Sequence, residues 1–315
     1  MSTPVINVRG LVKTFGRTRA LDGLDLTVEK GEVHGFLGPN GAGKSTTIRA
    51  LLGQIGVNAG TASVLDLDPW SDAVAIHRRM AYVPGDVSLW PNLTGGEVID
   101  MLLRMRGASA GDRDALVERF DLDPSKKGRT YSKGNRQKVA LVAALAGSPE
   151  LLLLDEPTSG LDPLMEDTFR ECVRERVADG CTVLLSSHIL SEVEHLCDRV
   201  TIIKSGKTVE TGSLAQLRHL SRIRVHAVTS SPVDLSGVPG GADLAATDTT
   251  VEGTVDGEAL TALATALGRA GLVSLETRQP SLEELFRDVY AHGSFEGSPV
   301  EVAGAAGRHR SEPTS

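Results

Sequence analysis

Apolar and polar residues alternate along this chain with two periods, and the change from one to the other outlines its organisation. Val5-Ile6-Asn7-Val8 and Leu24-Asp25-Leu26-Thr27-Val28 alternate strictly and predict short strands, the first at a sheet edge. Val33 to Leu37 is a compact run that predicts a buried strand, followed by a helix from Thr46 to Leu52 with Ile48, Leu51 and Leu52 on one face. Gly60 to Val64 and Met80 to Val83 predict further strands around a helix from Ser71 to Arg79. From about 86 to 147 the period turns helical, with Val98, Met101, Leu102 and Met105 in register and Thr94-x-x-Glu97 as a capping box, so this stretch reads as a helical insert.

Strand and helix alternate again from Leu151 to Leu154, through a helix from Pro163 to Ala178, a strand from Cys181 to Ser186, a helix from Ile189 to Cys197 and a strand from Val200 to Lys204. That order predicts an α/β fold with a mostly parallel sheet covered on both faces and antiparallel edge strands. Residues 1–220 form the expected first domain. Residues 221–292 form a small α+β domain, with a Gly/Pro/Asp-rich loop near 230 to 248 and a last element from Ser281 to Ala291. The tail at 293–315 lacks apolar clusters and is expected to be disordered.

Composition narrows the function classes. The 315 residues are 40% hydrophobic, enough for a large core and a small one. A net charge of −8 offers no general attraction for nucleic acid, and none is expected as a partner. No apolar run approaches the ~20 residues of a membrane span, and no leader pattern opens the chain, so a cytoplasmic protein is expected. Cys172, Cys181 and Cys197 form no close pair and read as reduced thiols.

The chemistry begins at Gly38-Pro39-Asn40-Gly41-Ala42-Gly43-Lys44-Ser45, a G-x-x-x-x-G-K-[ST] phosphate loop between a strand and a helix. Its backbone N–H groups and the helix end point positive charge at one place. Lys44 is expected at the β/γ-phosphates, Ser45 on magnesium and Thr46 beside them. A second signal is the strand Leu151-Leu152-Leu153-Leu154 ending in Asp155-Glu156. The first carboxylate suits magnesium and the second the attacking water. His188 ends the next strand, which places it either near the γ-phosphate or in a structural role.

Together these motifs resemble the nucleotide-binding subunit of an ATP-binding cassette (ABC) transporter over about Val5 to Gly212. Ser159-Gly160-Leu161-Asp162 is similar to the family's D-loop, His188 stands at its switch histidine, and Tyr131-Ser132-Lys133-Gly134-Asn135-Arg136-Gln137 stands where the family has Leu-Ser-Gly-Gly-Gln. Phe15 matches the aromatic that stacks on adenine, although it also reads as a half-buried edge residue. The resemblance implies an ATPase with ATP and Mg2+ as cofactors and a homodimer in which each phosphate loop faces the partner's Ser132 and Gly134. It also implies a separate integral membrane permease that holds the chain at the cytoplasmic face of the membrane. Gly134 is read as lying just before the helix from Val139 to Leu145, whose positive end would face the γ-phosphate.

Two positions depart from the family pattern. Gly85 replaces a glutamine that touches magnesium, so either Asp86 takes over as a metal ligand or Gly85-Asp86 is only a turn. Lys133 replaces a glycine, either as a phosphate contact or as a solvated charge. Trp90, with Leu89, Pro91 and Leu93, either packs within the insert or forms a groove for a permease helix. The short interval from Lys44 to Asp155 leaves no room for the coiled coils of chromosome-maintenance ATPases, and the paired cassettes of ribosome-associated members are missing. Tyr82 to Thr94 and Gln279 to Arg287 resemble bacterial drug- and antibiotic-exporting ATPases of the daunorubicin-resistance type. Multidrug or antibiotic efflux is therefore the expected work, with lipid or polysaccharide export and a non-transport ATPase as alternatives.

Overall fold

A computed structural model describes residues 3–187, 189–219, 223–239 and 243–278. The expected element from Ser281 to Ala291 and the expected disordered tail lie outside the described residues.

The chain opens with β1 (Ile6–Phe15), β2 (Thr18–Val28) and β3 (Val33–Leu37). Helix α1 (Lys44–Leu51), β4 (Ala59–Val64), α2 (Ala73–Arg79) and β5 (Met80–Val83) follow. β1 pairs antiparallel with β2 and β4, and is much longer than the alternation at Val5 to Val8 predicts. Register shifts near Leu11 and Lys13 explain the difference, because each bulge interrupts the period-2 pattern that marks a strand in sequence.

The insert contains α3 (Gly95–Arg106), α4 (Arg113–Arg119) and α5 (Lys133–Leu145). Thr94 and Glu97 form the expected capping box: the Thr94 side chain accepts from the Glu97 N–H, and the Glu97 carboxylate accepts from the Thr94 N–H. α5 begins earlier than predicted, at Lys133, because Ser132 caps it by accepting from the Asn135 N–H. Gly134 therefore lies within the first turn rather than before the helix. Its missing side chain matters there, since a Cβ would collide with the Gly160 carbonyl.

The second half supplies β6 (Leu151–Asp155), α6 (Pro163–Ala178), β7 (Thr182–Ser187), α7 (Leu190–Leu196), β8 (Arg199–Lys204), β9 (Lys207–Ser213) and α8 (Leu214–His219). The central sheet has the order β5-β6-β7-β3-β8-β9, parallel except for the β8-β9 hairpin. Strands β3, β6 and β7 are buried along their whole length, as a sheet with both faces covered requires. One face packs in a cluster with Val139, Leu141 and Phe169, the other with Ile48, Leu51 and the apolar side of β1 and β2.

At the start of β3, His34 is fully buried, with Nδ1 2.9 Å from Glu32 Oε1 and Nε2 2.8 Å from Thr201 Oγ1. At its other end the β8-β9 turn presses on the phosphate loop. Gly206 donates its N–H to the Ala42 carbonyl at 2.8 Å, and its carbonyl accepts from the Asp22 N–H at 2.8 Å.

The later residues form β10 (Ile223–Thr229), β11 (Asp243–Thr247), β12 (Thr250–Val255), α9 (Leu260–Arg269) and β13 (Leu272–Arg278). They make a sheet of order β11-β12-β10-β13 with its own cluster around Val225, Val251, Leu263 and Leu267. β11 corrects the expected loop at 230 to 248.

Candidate nucleotide site

Parallel pairing brings the ends of β3, β6 and β7 to one rim of the sheet, where the phosphate loop and the Asp155-Glu156 pair meet. The loop after β3 passes through Gly41 and Gly43 with φ of +82° and +113°, in the left-handed region. At Gly43 there is no room either, since a Cβ would stand 2.9 Å from the Ala20 carbonyl. Gly43 is also the N-cap of α1, and with no side chain to cap the helix and no acid in its first turn, the N–H groups of Lys44, Ser45 and Thr46 lack intrahelical partners.

Gly38, Pro39 and Asn40 lead into this turn, and Ala42 is buried beneath it. Lys44 is buried and its ammonium donates to the carbonyls of Gly38 at 2.6 Å and Pro39 at 3.3 Å. Desolvation draws its pKa below the usual value, opposed by the charges of Glu156 and Asp155.

Ser45 and Asp155 meet as the motifs predict. The Ser45 hydroxyl donates to Asp155 Oδ2 at 3.1 Å, while Ser186, at the end of β7, donates to Oδ1 at 2.8 Å. Neighbouring Tyr82 has its phenol pushed up to about 12 by burial and by the charge of Asp155. Glu156 adopts φ of +50°, uncommon for a side-chain-bearing residue, and its N–H is held by the Ser186 carbonyl at 2.9 Å. Strain of this kind, of order 1–3 kcal/mol, persists where surrounding contacts fix a functional residue.

The signature stretch and the D-loop touch each other within the subunit. Gln137 is buried and donates to the Pro157 carbonyl at 2.8 Å, one residue after Glu156. Lys133 donates to Ser159 Oγ at 2.7 Å. Asp162 caps α6 by accepting from the Met165 N–H at 3.0 Å. Among the described residues no hydrogen bond joins Ser132–Gly134 to the subunit's own phosphate loop.

Other predicted residues stand further out. Phe15 is 49% exposed at the end of β1, with the Lys13 ammonium 4.9 Å from its ring centre. Asp86 is exposed, beside Gly85, where a Cβ would lie 3.2 Å from the Asp155 carbonyl oxygen. His188 lies outside the described residues. Trp90 is 52% exposed and borders a groove of about 590 Å³ lined also by Val74, Tyr82, Pro84, Leu102 and Met105.

The ABC transporter family model matches residues 21–159. The daunorubicin/doxorubicin resistance ATP-binding protein DrrA of Streptomyces peucetius is 39% identical over 239 residues, covering 72% of each chain. The daunorubicin resistance ATP-binding protein DrrA3 of Streptomyces coeruleorubidus is 34% identical over 91% of this chain and 96% of its own. This chain belongs to the ABC transporter ATP-binding subunits. A solved ATP-binding subunit of an ABC transporter superposes with a TM-score of 0.65 at 31% identity, covering 68% of this chain and 92% of that one. The cassette is thus an ATP-binding P-loop ATPase, with its mixed sheet and helical insert as expected. No described helix is long and apolar enough to cross a membrane.

Sequence reasoning missed Gln137 as the tie to Pro157, and it missed Glu192. The latter is a buried acid at the start of α7 that no motif signalled.

Proposed function

We propose that this ATPase drives export of drugs or antibiotics through a separate membrane permease, acting as a homodimer that closes on two ATP molecules with Mg2+. The observation that carries the reading is the Ser45–Asp155 contact of 3.1 Å beside Glu156. A serine hydroxyl and a buried carboxylate form a hard-oxygen set, and they fit a magnesium ion that completes its shell with phosphates and water. Bound there, the metal supplies charge neutralisation on the phosphates. Asp86 is assigned to the outer edge of that site.

The roles of the protein groups follow from their positions. Gly38 to Thr46 wrap the phosphates with N–H groups, and Lys44 supplies the cation. Glu156 orients the attacking water, and His188 is assigned to the γ-phosphate. Phe15 offers its exposed ring to adenine, a contact of about 1–3 kcal/mol by analogy with base stacking. Ser132 and Gly134, at the capped start of α5, face the γ-phosphate held by the other subunit, and Asp162 borders the same junction.

The groove beside Trp90 is assigned to the permease. Its apolar lining, which includes Tyr82 and Pro84 just ahead of Gly85, suits a short helix from a membrane partner. Such docking would hold the cassette at the cytoplasmic face of the membrane. Drug efflux is favoured by the names of the relatives that align with most of the chain.

A Glu156→Gln variant with ATP and Mg2+ is expected to run as a dimer in size-exclusion chromatography and to hydrolyse at least ~100-fold more slowly than the natural chain. A persistent monomer would overturn the clamp. Deleting the gene should sensitise the host to a drug in a resistance panel, and unchanged sensitivity across the panel would overturn the cargo assignment.

A further inference from the structure

Glu192 sits in the first turn of α7 with only 6% of its surface exposed. Its Oε2 accepts from the Ser187 hydroxyl at 2.7 Å, and that hydroxyl oxygen in turn accepts the Ile189 N–H at 2.9 Å. The carboxyl thus fixes both residues that flank position 188. On its other side the same carboxyl faces Thr158, two residues beyond Glu156, across a small cavity that both residues line. Thr158, Glu166, Arg170, Ile189 and Glu192 surround a small cavity of about 30 Å³. Among the described residues Glu192 Oε1 has no hydrogen-bond partner.

A buried acid needs a reason to persist, because an apolar residue would fill this place at lower cost. Among the described residues no cation forms an ion pair with it, and Arg170, whose charge is felt there, is paired with Asp167. Burial raises the pKa of Glu192 above the usual carboxyl value, Glu166 adds to the rise, and the hydroxyls of Ser187 and Thr158 oppose it. The carboxyl accepts from the Ser187 hydroxyl through one oxygen and turns the other toward Thr158, which a hydrocarbon cannot do.

We propose that Glu192 is a positioning residue for hydrolysis, tying the end of β7 to the loop that follows Glu156 so that the two sides of the γ-phosphate site keep one spacing. The inference rests on the proposed role of Glu156 and of the segment after Ser187. It concerns geometry alone. Misplacement by about 1 Å at a reacting centre costs up to ~100-fold in rate, so a tie of this kind acts on kcat.

Steady-state ATPase kinetics of the full-length chain test it. Glu192→Ala is expected to lower kcat at least ~10-fold with KM for ATP changed by less than about threefold. Glu192→Gln, whose amide oxygen can still accept from the Ser187 hydroxyl, should recover kcat to within about threefold, whereas Glu192→Asp, one methylene short, should not. A fall in melting temperature alone would not produce that split or that order of rescue. Unchanged kcat in Glu192→Ala, or equal losses in the Ala and Gln variants, would overturn the proposal. Should Glu192→Ala fail to fold, Thr158→Val decides: a kcat lowered about threefold or more at unchanged KM supports the tie, and an unchanged kcat overturns it. Glu156→Gln run in parallel separates the two readings, since full turnover in that variant removes the assigned site itself, independently of Glu192.

Discussion

The Lys133 ammonium donates to Ser159 Oγ at 2.7 Å, so the residue that departs from the family signature is engaged with a loop of its own subunit. Lys133 is exposed, as the solvated-charge reading expects, and is also held by this hydrogen bond. Both groups are exposed, and pairs of this kind contribute about 0–1 kcal/mol. Lys133→Ala and Ser159→Ala should each shift the melting temperature by no more than a few degrees. Their effects on ATPase kcat should be non-additive in a double-mutant cycle, and strict additivity would show that the contact has no part in turnover.

Gly85 has an ordinary backbone, and a Cβ there would lie 3.7 Å from Glu156 Cβ. Gly85→Gln is expected to fold, the Asp155 carbonyl oxygen yielding by a few tenths of an ångström. Asp86→Ala should raise the Mg2+ concentration for half-maximal turnover severalfold. A titration of ATPase rate against Mg2+ that is unchanged by Asp86→Ala would end the substitution idea.

Trp90 exposes half of a large apolar side chain at the rim of the groove. Trp90→Ala should leave ATPase activity of the isolated subunit within about twofold and cost 2 kcal/mol or more, roughly 30-fold, in affinity for the permease, as interface aromatics commonly do. Co-purification with the membrane partner reads the outcome.

All three cysteines are buried and free. Burial pushes the Cys172 thiol up to about 11 and Cys181 to about 12, and carries Cys197 well above its usual value. The thiolate is the reactive form, so at pH 8 almost none is present. A disulfide reagent should titrate no thiol in the native protein and all three in guanidinium chloride.

Glu32 supplies a pH dependence. Burial acts to raise its pKa, but hydrogen bonds from His34 and the Glu29 N–H, with the charges of His34 and Arg199, carry it below the ordinary 4.5. A carboxylate held lower in the folded state adds stability above its unfolded pKa and loses it as pH falls through the folded one. Thermal stability should therefore decline below about pH 4.5, and Glu32→Gln should flatten part of that decline.

Much of the nucleotide site was legible because its residues are local. The phosphate loop, the Asp155-Glu156 pair and the cap at Thr94 each lie within one short stretch whose spacing has a mechanism. What escaped depends on distance or on turns. β9 follows Ser205-Gly206, whose φ of +49° and +77° make the hairpin, and with Val209 as its one apolar residue it carries no alternation to announce a strand. β11 contains Asp243, Ala245 and Ala246, poor strand formers recruited by pairing with β12. The start of α5 was misplaced because Ser132 was read as a ligand rather than a cap. Glu192 and Gln137 act through partners more than a turn of helix away in sequence, which no spacing announces.

The strand that presents the phosphate loop has both of its neighbours, β7 and β8, encoded after residue 181, beyond the stretch that marks the family. During synthesis β3 therefore leaves the ribosome long before either flanking strand exists. Lys44 and its loop cannot be shaped until the hairpin turn at Gly206 arrives to seat against Ala42. A nascent polypeptide interrupted after Asp162 carries the whole phosphate loop but neither strand that flanks β3, which makes it a client for chaperones and proteases rather than a smaller ATPase.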